Sequence, residues 1–525
     1  MDTSDKSAAA SRYSKLEMDR EPFLRRARES SKLTLTSIAP PLSTTGDSDL
    51  YKPYQSLGAR GAKNLAAKLL MTLFPPNTPF HRYVVNVIEL ANEMEANPEL
   101  KTQLDEAMAK TEKIIQDHIE TTGIRRAAFL ALKHLVISGN ILVYAPRKGG
   151  LRAYRLSQYV VQRDHEGNLK EILLKETLSP LALPQDVQEF LKANCASEGD
   201  NDIEKDVDLY TWIKFNGKTW NIHQEVKGFQ LPESIAEYPK DELPWNALRM
   251  GELQGENYGR GFVEDLIGDL QSLEGLSQAI VEGAAAGAKV VFLVDPSGTT
   301  SVQKLAKTPN GGFCPGREEE VKALQLQKFN DFQVAKQQID SITGRLEASF
   351  LLNSSVQRNG ERVTAEEIRF MAAELESSLG GEYASLSQEF QLWLVKCITK
   401  NLQKDSKFPK IPKSVTPLIV TGLEALGRNN DLQKLDDLVS DLGQKFGPEV
   451  VAKYLSVSEY ITRRTTALMI DKKNLVRSEQ EVQQADAQAQ QQQAMQSAAP
   501  NLIKAGSDIL NTNTKVSAQQ AAPAA

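Results

Sequence analysis

The sequence predicts a mainly α-helical chain with an antiparallel β section in its middle third, and three observations carry that reading. Apolar residues recur at helical spacing in several long stretches, most clearly Leu57–Leu73, Leu266–Ile280 and Ala335–Phe350. Alternation of apolar and polar residues replaces that period in the stretch that ends at Phe215. Two of the helical stripes also bracket a short segment rich in turn residues, the pattern of paired helices carrying a compact tip.

The elements follow in order. A charged helix runs from Ser11 to about Lys32 and leads into a Ser/Thr/Pro-rich connector. A second runs from about Tyr54 to Phe74 and stops at Pro75-Pro76, where ring sterics and the missing N–H end propagation. Its face is Leu57, Gly61, Leu65, Leu69 and Leu73. Gly58 and Gly61 would weaken a free helix, so they are expected to permit close packing against a neighbour. Pro98 to about Thr122 carries the stripe Leu100, Leu104, Met108, Ile115 and Ile119, and a further helix runs from Ile124 to the stop signal Gly139-Asn140. Tyr154–Asp164 and Leu169–Lys175 flank His165-Glu-Gly-Asn168 as strand, turn and strand. Val207, Leu209, Thr211, Ile213 and Phe215 alternate into Asn216-Gly217, a strong hairpin signal.

From Phe262 the helices return. Leu266, Leu270, Leu273, Leu276 and Ile280 form one narrow stripe, followed by the small-residue run Gly283–Ala288. An insert with strand character, Val290 to about Leu326, is punctuated by Pro296-Ser-Gly298, Asn310-Gly-Gly312 and Pro315-Gly316. The second stripe is Ala335, Ile339, Ile342, Leu346 and Phe350. Thr364-Ala-Glu-Glu367 reads as a capping box opening a helix to about Lys404, with a kink expected at Gly380-Gly381. Pro409, Pro412 and Pro417 read as a linker. After a break at Asn429-Asn430 comes a helix whose core face is Leu432, Leu435, Leu438 (or Val439) and Leu442. From about Ser478 the Gln/Ala-rich composition holds too little apolar surface to fold alone.

Composition excludes several functions. The 525 residues are 41% hydrophobic and 25% charged, and 62 Lys and Arg against 68 Asp and Glu leave a formal charge of −6. Such a chain is a poor general nucleic-acid binder, because non-specific affinity comes from cations that displace counterions. Cys195, Cys314 and Cys397 are too few and too scattered for a disulfide framework or a thiolate metal site. The polar start, Met1 to Arg12, is not expected to act as a signal peptide, and no run approaches the ~18 apolar residues that span a bilayer. Neither Gly58-Ala-Arg-Gly61 nor Gly311-Gly312 leads into the Lys-Ser/Thr of a phosphate loop; helix packing and a turn are the plainer readings. His81, His118, His134, His165 and His223 stand at no metal-ligand spacing, and nucleophile-elbow and zinc-protease motifs are missing. Cys314, near Arg317, reads more simply as a tolerated thiol than as a nucleophile. No cofactor or metal is expected. The segment Leu351–Val363 is a plain surface loop or one whose arginines, Arg358 and Arg362, touch a polyanion.

Longer matches narrow the choice. Gly58-Ala-Arg-Gly-Ala-Lys-Asn-Leu-Ala-Ala-Lys-Leu-Leu-Met-Thr-Leu-Phe-Pro75 is the first, and Tyr154-Arg-Leu-Ser-Gln-Tyr-Val-Val-Gln-Arg-Asp164 the second. Leu352-Asn-Ser-Ser-Val-Gln-Arg-Asn-Gly-Glu-Arg-Val-Thr-Ala-Glu-Glu-Ile-Arg369 and Thr421-Gly-Leu-Glu-Ala-Leu-Gly-Arg428 follow in the same order. On these the chain resembles the portal, or head-to-tail connector, proteins of short-tailed (podovirus-type) bacteriophages, over roughly residues 10 to 430. The module beyond about Asn430 diverges.

The resemblance implies a viral portal fold, mainly α with an α+β wing and clip, assembled as a ring of about twelve copies at one capsid vertex. By the family layout, 1–261 would be wing, 262–289 the first stem helix, 290–330 the clip and 331–351 the second stem helix. The tunnel loop would be 352–363, the wing helix and linker 364–414, the crown 415–477 and the low-complexity tail 478–525. Arg358 and Arg362 would then face double-stranded DNA in the channel. Glu264, Asp265, Asp269, Glu274, Glu282, Asp340 and Glu347 are candidates to line it, and Arg317, Glu318, Glu319 and Glu320 to dock partners at the clip. Implied partners are further copies of the chain, the large subunit of the terminase motor, tail adaptor and tail proteins, the major capsid protein and scaffold. No membrane is implied. The expected location is the virion, after assembly in the host cytoplasm. A packaging ATPase or nuclease, and another structural virion component such as a tail adaptor, are the competing readings; the missing phosphate loop and metal-ligand cluster disfavour the enzyme.

Overall fold

The computed structural model describes residues 8–42, 44, 46–76, 80–85, 98–195, 206–287, 291–309, 311–324, 329–352, 365–403, 408, 415–419, 427–447 and six positions between 454 and 464. The chain divides into one compact unit to Leu426 and a second from Gly427. Among the described residues, no helix is long and apolar enough to cross a membrane.

The first unit opens with α1 (Ala8–Lys32), whose buried residues Ala9, Tyr13, Leu16, Arg20, Leu24 and Ala27 recur every three or four positions. Tyr13 and Leu16 pack on Val160, Leu173 and Tyr210 of a sheet described below. Arg20 is buried on the same face. It donates to the Tyr13 hydroxyl at 2.7 Å and to the carbonyls of Leu156, Ser157 and Tyr159 at 3.0–3.3 Å. A buried guanidinium survives there because acceptors replace its lost water.

Next come α2 (Leu57–Leu73), β1 (His81–Val85), α3 (Pro98–Thr121) and α4 (Ile124–Ser138). The four apolar residues predicted to face inward on α2, Leu57, Leu65, Leu69 and Leu73, are all buried. At Gly58 an added Cβ would overlap the Leu33 carbonyl oxygen, and at Gly61 it would overlap the root of the Phe350 ring. Both glycines therefore permit close approach. α4 ends at Gly139, in the left-handed region at φ 71°, as its stop signal predicts.

The β section contains two sheets. β2 (Asn140–Tyr144) lies between β3 (Arg152–Tyr154) and the later β9 (Trp245–Arg249), all antiparallel. β4 (Tyr159–Arg163), β5 (Leu169–Leu178), β6 (Val207–Phe215), β7 (Thr219–Val226) and β8 (Phe229–Pro239) form an antiparallel meander. Helix α5 (Gln185–Cys195) sits between β5 and β6 in sequence and packs Val187 and Leu191 over Val207, Leu209 and Val226. The expected strand Tyr154–Asp164 is in fact two. A short 3-10 turn, Leu156–Gln158, moves the chain from one sheet to the other. The hairpin at Asn216-Gly217 is present, with Gly217 at φ 98°.

α6 (Phe262–Asp265) and α7 (Ile267–Gly287) occupy the stretch read as one helix from Phe262; Leu266, at φ −100° and ψ 3°, separates them. Beyond them lie β10 (Val291–Val294), α8 (Val302–Lys307), β11 (Val321–Leu324) and α9 (Phe329–Ser349). The capped helix begins at α10 (Ala365–Leu379); its proposed cap, Thr364, lies outside the described residues. Gly380, at φ 54°, breaks it as expected before α11 (Gly381–Leu386). One π-helical stretch, Ser387–Leu392, then leads into α12 (Trp393–Leu402). β12 (Val415–Ile419) corrects the linker reading: Pro417 lies in a strand, opposite Tyr83 of β1. One large core joins α2, α4, α7, α9 and α10 to α12.

The second unit holds α13 (Gly427–Phe446), which runs through Asn429-Asn430 rather than starting after them. The pair sits in its first turn, where free N–H groups tolerate short polar residues. Arg464 donates to Asp436 at 2.9 Å, and Tyr460 bonds the same carboxylate. The Gln/Ala-rich segment lies outside the described residues.

Candidate functional site

α7 and α9 face each other along the two predicted stripes. Leu270 and Leu273 bury against the cluster that holds Ile342, Leu346 and Phe350. Farther along, a Cβ on Gly283 would overlap the Phe332 ring, so the small-residue run lets the helices close up. The pair does not cover all of its own apolar surface. Val281 is 54% and Val334 60% exposed, and Ala284 to Ala286 are exposed as well.

The carboxylates of this pair divide by environment. Glu274 is buried, accepting hydrogen bonds from the Tyr51 hydroxyl at 2.7 Å and from the Tyr54 and Gln55 amides at 2.9 and 3.2 Å. It pins the chain entering α2 and pushes the Tyr51 phenol up to about 12. This carboxylate therefore faces the interior of its own subunit, at variance with a channel-lining role. Glu264 pairs with Arg26 at 3.1 Å and Arg260 at 3.7 Å. Asp269 takes a two-point bond from Arg345, at 2.8 and 3.1 Å, which lowers its pKa. Such pairs on a wet surface contribute little stability but do neutralise charge. Glu282 accepts from Gln278 at 2.8 Å, and Asp265, Glu282 and Asp340 are exposed, with Glu347 half-buried.

At the far end, β10 and β11 pair antiparallel, Val291 opposite Leu324 and Val294 opposite Val321. The loop between them is tied by Glu320. Its carboxylate accepts from the Thr300 hydroxyl at 2.6 Å, the Thr300 amide at 2.9 Å and the Thr299 hydroxyl at 3.2 Å, which hold its pKa down to about 2. Gly298 lies so close to this carboxylate that a Cβ would meet it at 2.8 Å. Glu320 is thus an internal latch, while Arg317, Glu318 and Glu319 are exposed. Phe313 is fully exposed on the same tip.

At the near end, α2 grips the end of α9. Asn64 donates to the Phe350 and Leu351 carbonyls at 3.1 Å, and Lys68 donates to Leu351 at 2.9 Å and to Glu374 of α10 at 2.8 Å. A cation on the last carbonyls of a helix also opposes its dipole. Leu351 itself sits at φ 55°. Arg358 and Arg362 lie outside the described residues. The helix pattern placed Asn64 and Lys68 on α2, but their partners lie almost 300 residues away and could not be read from it.

Among the described residues, no group of three His, Cys, Asp or Glu side chains is placed to hold a metal ion. Burial pushes the Cys397 thiol up to about 12, away from nucleophilic use. Cys314 has the Pro315 carbonyl, a poor base, as its contact at 3.8 Å.

These features describe a mostly helical scaffold subunit whose paired helices carry a small β tip. Comparison with known proteins makes the assignment specific. The model of the family described as bacteriophage head to tail connecting protein matches residues 6–476. The chain is 39% identical over 504 residues to the portal protein of Escherichia phage T7, covering 94% of this chain and 93% of that protein. It is 41% identical over 439 residues to the portal protein of Enterobacteria phage T3, covering 82% and 81%. A chain from the neck of a native gene transfer agent particle overlaps with a TM-score of 0.35 at 11% identity, over 78% of this chain and 89% of that one, too loosely to add weight. The chain belongs to the bacteriophage head-to-tail connecting proteins, the portal proteins of podovirus-type phages.

Proposed function

We propose that about twelve copies of this chain close into a ring at one capsid vertex, with α7 and α9 as the stem around a central channel for double-stranded DNA. The observation that carries this reading is the uncovered apolar surface of the helix pair, Val281, Val334 and Ala284 to Ala286, in a chain of this family. Exposed apolar groups gathered on one helix pair mark a surface that another protein covers, and in a ring each neighbour would cover it.

The charge fits a conduit. Twelve copies at −6 each give a ring near −70, which disfavours adhesion to phosphate. Asp265, Glu282, Asp340 and Glu347 are the carboxylates we assign to the lumen; Glu264 and Asp269 carry their own cations there, and Glu274 is left out. Arg358 and Arg362, repeated around the ring, would form the basic constriction that touches the DNA backbone.

The β tip, residues 290–330, would be the clip, docking the large terminase subunit during packaging and tail adaptor and tail proteins afterwards. The wing would meet the major capsid protein and scaffold. The role is structural rather than catalytic, exercised in the virion after assembly in the host cytoplasm. Replacing Arg358 and Arg362 together by Ala and measuring genome retention in assembled heads tests the constriction. Loss of packaged DNA is expected, and retention at the wild-type level would contradict it.

A further inference from the structure

A second polar site lies away from the helix pair. The loop between β2 and β3, Ala145 to Leu151, closes one side of a cavity of about 500 Å³. Arg147, Lys148 and Arg152 line it, and among the described residues no carboxylate does. Neither Arg147 nor Lys148 makes an ion pair with a described residue; Arg152 lies near the half-buried Glu176. Three cations gathered in one concavity of an acidic chain make a local field opposite to that of the whole.

The walls are built rather than incidental. Tyr144 stacks on Trp245, ring centres 4.0 Å apart, and Trp245 stacks in turn near Tyr154. Arg147 donates to the Tyr238 hydroxyl at 3.2 Å and lies over that ring. Gly149 and Gly150 sit at φ 91° and 86°, a backbone that side-chain-bearing residues rarely adopt. A Cβ at Gly149 would press on His118 and Thr122 at the end of α3, so the loop is seated against that helix.

We infer that this cavity binds a short acidic peptide segment of a partner protein, its carboxylates taken by Arg147, Lys148 and Arg152. Charge complementarity gives the sign of the ligand, and the surroundings give its length. The strand that supplies Tyr238 also carries exposed Glu233 and Glu237, with exposed Asp241 just beyond and then Glu242, which pairs with Lys400. A long polyanion such as a nucleic-acid backbone would find no basic track along this segment, whose one cation is Lys240, whereas a short segment held in the cavity needs none. The forked guanidinium of Arg147 also suits a carboxylate.

The test uses the full-length protein and a fluorescein-labelled octapeptide of Asp and Glu with one central Leu, read by fluorescence anisotropy. Arg147→Gln with Lys148→Gln should weaken binding at least ten-fold, and Lys148→Gln alone several-fold. The exposed control Lys218→Gln should leave it unchanged. Circular dichroism of each variant confirms that the fold is retained. Wild-type binding unaffected by the double variant, no binding by the wild type, or displacement of the peptide by a single-stranded oligonucleotide at equal concentration would each overturn the assignment.

Discussion

Single residues decide how closely the core of this subunit can pack. Gly61 meets Phe350 where α2 crosses the end of α9, and the contact falls on the fixed root of the ring rather than a flexible end. Gly61→Ala should therefore lower stability by about 1–3 kcal/mol despite Ala's better helix propensity, as chemical denaturation would show. His134 gives a second residue-scale expectation. Burial first, then Arg155 and Lys133, push its pKa down to about 4 from 6.5. The folded state keeps it neutral while the unfolded chain takes up a proton below about pH 6.5. Its contribution is thus complete above pH 6.5 and is lost as the pH falls toward 4, by roughly 3 kcal/mol at about 1.4 kcal/mol per unit. His134→Gln should flatten the fall in melting temperature between pH 7 and pH 5. An unchanged slope would place the acid sensitivity elsewhere.

At the scale of elements, the tip separates a latch from a face. Glu320→Ala removes the acceptor that ties Thr299 and Thr300, so trypsin should cut sooner at Lys304, Lys307 and Lys322. Neutralising the exposed Glu318 and Glu319 together to Gln should leave that cleavage rate unchanged while impairing motor or tail docking. The Glu320 bonds act by favouring the carboxylate, so the latch holds above pH 4.5 and is lost only as the pH falls through about 2. Much of this scale was legible in the sequence. The stripes of α7 and α9, the hairpin at Asn216-Gly217 and the break at Gly380 all follow from local periodicity or a required backbone angle. Pairing of β1 with β12 was not, because its strands lie more than 300 residues apart and Pro417 reads locally as a linker. The π-helical stretch was equally hidden, since one extra residue in a helical turn shifts phase without a marker residue. Among the site residues, local sequence could nominate Glu274 and Glu320 as acidic but could not show that each is held by its own chain.

For the whole molecule, the exposed Val281 and Val334 and the small-residue run of α7 are the surface that a proposed neighbour would cover. In the proposed ring neighbours would finish each copy, and twelve mildly acidic subunits would make a passage that DNA crosses without being held. Stability and assembly are then linked by mass action, since a partner that covers the helix pair favours the folded subunit. The most direct test is electron microscopy of the purified full-length protein, with subunits counted around the axis. A closed ring of about twelve copies with an open central channel is the expected result. A monomer, or a filament without closure, would contradict it.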